Sequence, residues 1–152
     1  MRIGVISDTH AKTFEELPSP MLAALAGVDL IVHAGDITAK AVLDGLKTLG
    51  KVKAVHGNMD SSEVKAMLPS RGLFTVSGKR VGLVHGSGAP WGIAKRVRTL
   101  FGDNVDIIIF GHSHEPHNEY ARGTLLFNPG RGRDSFGILT IGQEIEAEIT
   151  NI

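Results

Sequence analysis

Seven side chains carry most of the chemistry available to this chain: Asp8, His10, Asp36, Asn58, His85, His112 and His114. They fall in five short groups, Ser7-Asp8-Thr9-His10, Gly35-Asp36, Gly57-Asn58, His85-Gly86 and Gly111-His112-Ser113-His114, and four of the five contain a glycine. Two carboxylates, one carboxamide and four imidazoles form a set of oxygen and nitrogen donors suited to divalent transition metals. Asp8 with His10, and His112 with His114, are spaced i and i+2, which in extended backbone puts both members on the same side. Seven donors exceed what one tetrahedral or octahedral ion takes from a protein, so two ions are the economical reading. A carboxylate can bridge two metals, whereas neutral imidazole and a carboxamide oxygen are terminal donors. Two ions ~3.5 to 4 Å apart acidify water, hold phosphoryl oxygens and stabilise in-line displacement at phosphorus.

The elements that must position these groups are readable. Each group follows a short apolar run rich in Val and Ile, at residues 2–6, 30–33, 52–56, 81–85 and 107–110, as expected of strands covered on both faces. In α/β sheets ligands bind beyond the carboxyl ends of the strands, so these runs would deliver the five groups to one rim. The glycines fit tight turns or close backbone approach there. Between the runs lie helix signals. Ser19 and Pro20 start one helix, with Met21, Leu22 and Leu25 as its apolar stripe. Thr38 is the expected cap of a second, carrying Val42, Leu43, Leu46 and Leu49 before Gly50. A third spans 61–68 and stops at Pro69, and a fourth follows Trp91 to about Leu100. After Phe110 the runs at 125–127, 137–141 and 146–150 have no helix between them and read as a β-meander. The expected class is α/β, in one domain over 1–152.

Composition narrows the function further. With 152 residues the chain can bury one adequate core. The absence of cysteine excludes disulfides, thiolate metal sites and a Cys nucleophile, and fits a reducing compartment. Lys plus Arg and Asp plus Glu are 16 each, so a globally basic nucleic-acid binder is excluded and a nucleic acid polymer is not the expected partner. No signal-type apolar core and no run of ~18 to 20 apolar residues is present, so the expectation is a cytoplasmic protein without a membrane partner. Oligomeric state is not readable.

Taken in order, Asp8-Thr9-His10, Gly35-Asp36, Gly57-Asn58-Met59-Asp60, His85 and Gly111-His112-Ser113-His114 resemble the signature of the calcineurin-like metallophosphoesterases over nearly the whole chain. Length, the Ser7-Asp8-Thr9-His10 opening and Asn128-Pro129-Gly130 are most similar to the small YfcE-like phosphodiesterases. That resemblance implies two stacked mixed β-sheets flanked by helices, a four-layer sandwich. It assigns Asp8, His10 and His114 to a first metal, Asn58, His85 and His112 to a second, and Asp36 as the bridge. It also implies hydrolysis of small phosphodiesters or nucleotides by a metal-bridging hydroxide, with Asp36, Asn58 and His85 in the catalytic set. Imidazole with carboxylate suits Mn, Ni, Fe, Co or Zn over Mg, and manganese is the expected activating ion in an assay. The alternative is a non-catalytic metal-binding scaffold, since a retromer subunit is similar to the same fold.

One position departs from the wider family, which has His where this chain has Met59, a side chain that cannot donate a proton. The expected consequence is a preference for diesters with good leaving groups, or the use of another acid. Asp60, with Glu63 three residues on, reads as the N-cap of the third helix. His33 and His56 read as core or supporting residues and His117 as a surface residue. Lys95, Arg96 and Arg98 read as a solvated helix face and Trp91 as a lip over the site, while nothing in the spacing assigns Arg131 or Arg133.

Overall fold

The computed structural model describes residues 1–152. Ten strands and four helices alternate through most of the chain: β1 (Arg2–Ile6), α1 (Ser19–Leu25), β2 (Leu30–His33), α2 (Lys40–Leu49), β3 (Val52–Ala54), α3 (Ser62–Met67), β4 (Arg71–Val76), β5 (Lys79–Val84), α4 (Ile93–Thr99), β6 (Ile107–Ile109), β7 (His117–Ala121), β8 (Thr124–Asn128), β9 (Ser135–Ile141) and β10 (Ile145–Asn151). A 3₁₀ turn, Phe14–Glu16, precedes α1. The strands form two five-stranded mixed sheets, in the orders β10-β9-β1-β2-β3 and β4-β5-β6-β8-β7.

Strand alternation builds the layers. Ile3, Val5, Leu30 and Val32 of the first sheet meet Val81, Leu83, Ile107, Ile109 and Phe127 of the second in one apolar core between the sheets. The opposite faces are also apolar. Ile6 and Ile31 pack under Met21, Leu25, Val42, Leu43 and Leu46 of α1 and α2, and Ile108 and Phe110 pack under Ile93 and Val97 of α4. Strands apolar on both faces are thus covered on both faces, giving helix, sheet, sheet and helix in four layers.

The sequence pattern predicts no strand at 71–76 or 117–121, yet β4 and β7 occupy these positions as the two edges of the second sheet. Neither carries a continuous apolar run: β7 reads HNEYA, and β4 half-buries Gly72 and Phe74 and fully buries only Val76. The expected terminal meander is also corrected. β7 and β8 pair antiparallel in the second sheet, whereas β9 and β10 pair antiparallel in the first. Ser135 lies after the Pro129 to Asp134 turn that carries the chain between the sheets, so the three late runs are not one meander. No helix is long and apolar enough to cross a membrane.

For the site, the decisive feature is strand direction. β1, β2 and β3 run parallel in one sheet, and β5 and β6 run parallel in the other. Their carboxyl ends lead into the five polar groups.

Candidate metal centre

From β1 come Asp8 and His10, from β2 Asp36, from β3 Asn58, from β5 His85 and from β6 His112 and His114. Asp8 and Asp36 are buried and form the floor, while His10 and His114 keep 33% and 43% of their side chains exposed and form the rim. Oδ1 of Asp8 lies 3.3 Å from Nε2 of His114, 3.7 Å from Nε2 of His85 and 3.9 Å from Nε2 of His10. Oδ2 of Asp36 lies 3.3 Å from Nε2 of His85 and 3.6 Å from Nε2 of His10. Asp8, His10 and His114 therefore offer one set of donor atoms within 4.8 Å of one another, and Asp8, Asp36 and His85 offer a second.

The remaining two residues stand beside the second set. His112 sits edge-on to His85, with ring centroids 5.2 Å apart. Asn58 is exposed and lines a cleft of about 340 Å³ with His85, His56, Lys65 and Ser70. The i, i+2 pairs are not extended, as the spacing had suggested. Asp8, His10, Asp36, His112 and His114 all have φ between 46° and 71°, and the two histidines of the last group turn to different neighbours, His114 toward His10 and His112 toward His85. Left-handed backbone costs a non-glycine residue roughly 1 to 2 kcal/mol, and Asp and His are among the types that tolerate it. Such strain concentrates where geometry serves a function.

Two glycines show how closely the backbone approaches these carboxylates. A Cβ on Gly57 would lie 2.2 Å from Oδ1 of Asp36, and one on Gly111 would lie 2.7 Å from Oδ2 of Asp8. No larger residue fits either position without moving the carboxylate.

The electrostatics of the floor call for a cation. Ser7 donates its hydroxyl to Oδ2 of Asp8 at 2.6 Å and the amide of His112 donates to the same oxygen at 3.1 Å, but Oδ1 of Asp8 is buried without a partner. Nδ1–H of His85 donates to the carbonyl of Ala34 at 2.8 Å, a tautomer assigned from that contact, which leaves Nε2 buried and unbonded against both carboxylates. Burial works against a charged His85 ring, but the adjoining Asp36 and Asp8 outweigh it and hold its pKa above the ordinary value. Burial likewise works against the Asp36 carboxylate, yet His85, the Met59 amide at 2.8 Å and His10 hold its pKa below normal. The charged contacts of both aspartates are with histidines, with no Lys or Arg among them. Buried carboxylates and a buried imidazole lone pair turned toward one point fit a divalent ion or ions.

Several supporting residues were not visible from spacing. Asp60 does not cap the third helix: Ser61 does, accepting from the Val64 amide. Instead Oδ2 of Asp60 accepts the amides of Gly57 and Asp36, and Oδ1 accepts that of Thr38, so one carboxylate ties the Asp36 loop to the Asn58 loop. Thr38 is itself no cap, since its hydroxyl donates to the Ala11 carbonyl ahead of a helix that begins at Lys40. Buried Asn128 donates to the Gly111 carbonyl and to Oγ of Ser113, bracing the last histidine group. His33 accepts the Gly35 amide at Nδ1 and contacts the Thr9 hydroxyl through Nε2. Burial, with His85 nearby, pushes its pKa down to about 3, so it stays neutral.

The residues set aside from sequence are also placed. His117 rests on Phe110 and beside Glu119, in a groove along α4 rather than among the clustered donors. Arg98 bonds the Phe101 and Gly102 carbonyls and pairs with Asp103 with only 16% of its side chain exposed, so Arg98 is not the solvated residue expected, whereas Arg96 is exposed as expected and also bonds loop carbonyls. Trp91 is 77% exposed in the loop after β5. Arg131 pairs with Asp134, while Arg131 and exposed Arg133 line a cleft of about 290 Å³ with Asp8, Thr9, His10 and His114.

Comparison with known proteins shows the family and the fold. Residues 1–140 match the model of the calcineurin-like phosphoesterase superfamily domain. The chain is 42% identical over 134 residues to a probable metallophosphoesterase of Methanocaldococcus jannaschii, covering 86% of this chain and 67% of that protein. Its fold is similar to that of an archaeal phosphodiesterase, with a TM-score of 0.83 at 20% identity over all of both chains. It is also similar to Vps29 of Entamoeba histolytica in complex with zinc, with a TM-score of 0.77 at 24% identity over 99% of both chains.

Proposed function

Because the chain belongs to the calcineurin-like phosphoesterase superfamily, we propose that it is a phosphodiesterase that uses two divalent ions to hydrolyse small phosphodiesters or nucleotides. The observation that carries this reading is the pair of buried, unpartnered atoms, Oδ1 of Asp8 and Nε2 of His85, set 3.7 Å apart among carboxylates. Such atoms are costly to bury unless something completes them.

Asp8, His10 and His114 would hold one ion, Asn58, His85 and His112 the other, and Asp36 both. The role of Asp36 is supported by Oδ2, which faces one histidine of each set, His85 at 3.3 Å and His10 at 3.6 Å, while the Met59 amide fixes Oδ1. When bound, the ions supply Lewis acidity, which acidifies water and neutralises charge on the phosphoryl group. The protein supplies placement. Ser7, Asp60, Asn128 and the Ala34 carbonyl hold the donors at fixed angles, so little reorganisation is left for the reaction. Neutral net charge and clefts of about 290 and 340 Å³ beside the donors favour a small substrate over a long polyanion. Manganese is the proposed activating ion and the cytoplasm the proposed location.

The test is hydrolysis of an activated aryl phosphodiester by protein that has been stripped with chelator and reloaded with each divalent ion in turn, alongside Asp36→Ala. Turnover restored by metal in the parent and absent in the variant supports the enzyme. Parent protein that binds metal yet turns nothing over would favour the scaffold reading.

A further inference from the structure

The loop between β5 and α4, residues 86–92, is built around one side chain. Arg96, from the first turns of α4, donates Nε and one terminal nitrogen to the Ser87 carbonyl at 3.2 and 2.8 Å. The same terminal nitrogen reaches the Ala89 carbonyl, and the other donates to the Trp91 carbonyl at 2.9 Å. Three carbonyls of one short loop thus converge on a single guanidinium, whose planar fork of five donors suits that arrangement as an ammonium would not. The Gly88 carbonyl in the middle of this loop goes elsewhere. It lies 2.7 Å from Nε2 of His112.

That contact defines how His112 is presented. Carbonyls do not donate, so Nε2 carries the hydrogen, and in the neutral ring Nδ1 is left with the lone pair. A carbonyl behind a metal-binding imidazole fixes both tautomer and ring angle. His112 is otherwise half-exposed; its amide is bonded to Asp8 and its ring sits edge-on to His85, and the Gly88 carbonyl is the ring's one hydrogen-bond partner.

We propose that Arg96 is a positioning residue for the second metal: by gathering the carbonyls of Ser87, Ala89 and Trp91 it holds the Gly88 carbonyl against Nε2 of His112, which thereby presents Nδ1 to the ion. This rests on the two-ion reading above. Arg96 itself touches neither ion nor substrate. No hydrogen bond joins Asp8, His10 or His114 of the first cluster to residues 86–92, so the effect is expected at one of the two sites.

The experiment is calorimetric titration of chelator-stripped protein with Mn²⁺ alone, for the parent, Arg96→Gln and Arg96→Lys. The parent should take up two ions. Arg96→Gln should keep the first at near-parent affinity and weaken the second by about 10- to 100-fold, the usual effect of losing a residue that supports a ligand. Nitrogen-15 imidazole spectra of the metal-free parent should show His112 as the Nε2–H tautomer, and Arg96→Gln should lose that preference. Arg96→Lys, which keeps the charge and stem but not the fork, should show the same selective loss if the Gln variant does not fold. Two unweakened ions in either folded variant, or equal weakening of both ions, would overturn the proposal. A parent that binds a single ion overturns the two-ion reading first, and this inference with it.

Discussion

One carboxylate oxygen of Asp60 accepts the backbone amide of Asp36 at 3.1 Å while also accepting that of Gly57 at 2.7 Å. Two loops from adjacent strands are thereby pinned at the point where Asp36 enters the cluster. The bond acts on the main chain and not on the Asp36 carboxylate, which stays available.

Asp60→Asn tests this. The amide has one acceptor oxygen where the carboxylate serves three N–H groups through two, so at least one buried donor is left facing an NH₂ group. The chelated variant should lose about 1.5 to 3 kcal/mol in urea unfolding, the range for a hydrogen bond to a charged group. A loss under about 0.5 kcal/mol, the ordinary scatter of surface changes, would show that Asp60 does not organise the loops.

The unpartnered Oδ1 of Asp8 predicts that metal and charge act in opposite directions on stability. In Asp8→Asn the oxygen that accepts from Ser7 and His112 can be kept, and an NH₂ group replaces the orphan. Stripped of metal at about pH 8, the variant should melt no lower than the parent, since a buried charge has been removed. With Mn²⁺ at about 100 times its dissociation constant the parent should gain about 2.7 kcal/mol for each ion bound, and the variant far less. Thermal melts with and without chelator read both.

His33 predicts an acid limb in the metal-free protein. Its pKa is near 3 in the folded chain against an ordinary 6.5, so below pH 6.5 the unfolded chain binds a proton that the folded chain does not. The stability is therefore complete above the unfolded value and falls as pH drops toward 3, at up to about 1.4 kcal/mol per pH unit. His33→Asn, which keeps an acceptor for the Gly35 amide, should lower the slope of stability against pH by about one proton in this window. Urea midpoints across the range measure it, and parallel profiles would contradict the assignment.

Met59 sets the fourth prediction. Its amide serves Asp36 while its side chain is 60% exposed, so the side chain can change without disturbing the cluster. Met59→His should raise turnover of unactivated alkyl diesters relative to aryl diesters, within the ~10²- to 10⁴-fold that a general acid contributes. An unchanged ratio would mean that protonation of the leaving group does not limit the reaction.

Legibility in the sequence followed burial. β1, β2 and β6 are continuous Val and Ile runs because both faces are covered, and their bounds were read to within a residue. The four-layer arrangement came from the resemblance, and the family match and similar folds bear it out. β4 and β7 escaped because edge strands need not be apolar. The seven polar residues were legible by type and spacing, but the backbone that carries them was not. An Asp or His at φ near 50° has no signature of its own beyond the glycines beside it. Asp60 and Thr38 were misread as caps because a capping pattern describes local bonds, whereas both residues bond across 22 to 27 positions. Arg96 is exposed as its place on the helix suggests, but helix spacing does not reveal that its side chain gathers the carbonyls of a loop.

The core between the two sheets is hydrocarbon, and apart from the bond of Asn118 on β7 to the Ala147 carbonyl on β10 their polar ties gather at one end, where Asp8 reaches the His112 amide and His85 reaches the Ala34 carbonyl. An ion held by side chains from both would act there as a rivet through two plates. Amide exchange should then slow most on the strands whose tips it joins, β1, β2, β5 and β6, and least at the far margins β10 and β4. Loading the centre would thus change the mechanics of the whole molecule, in a protein whose two halves could otherwise breathe apart.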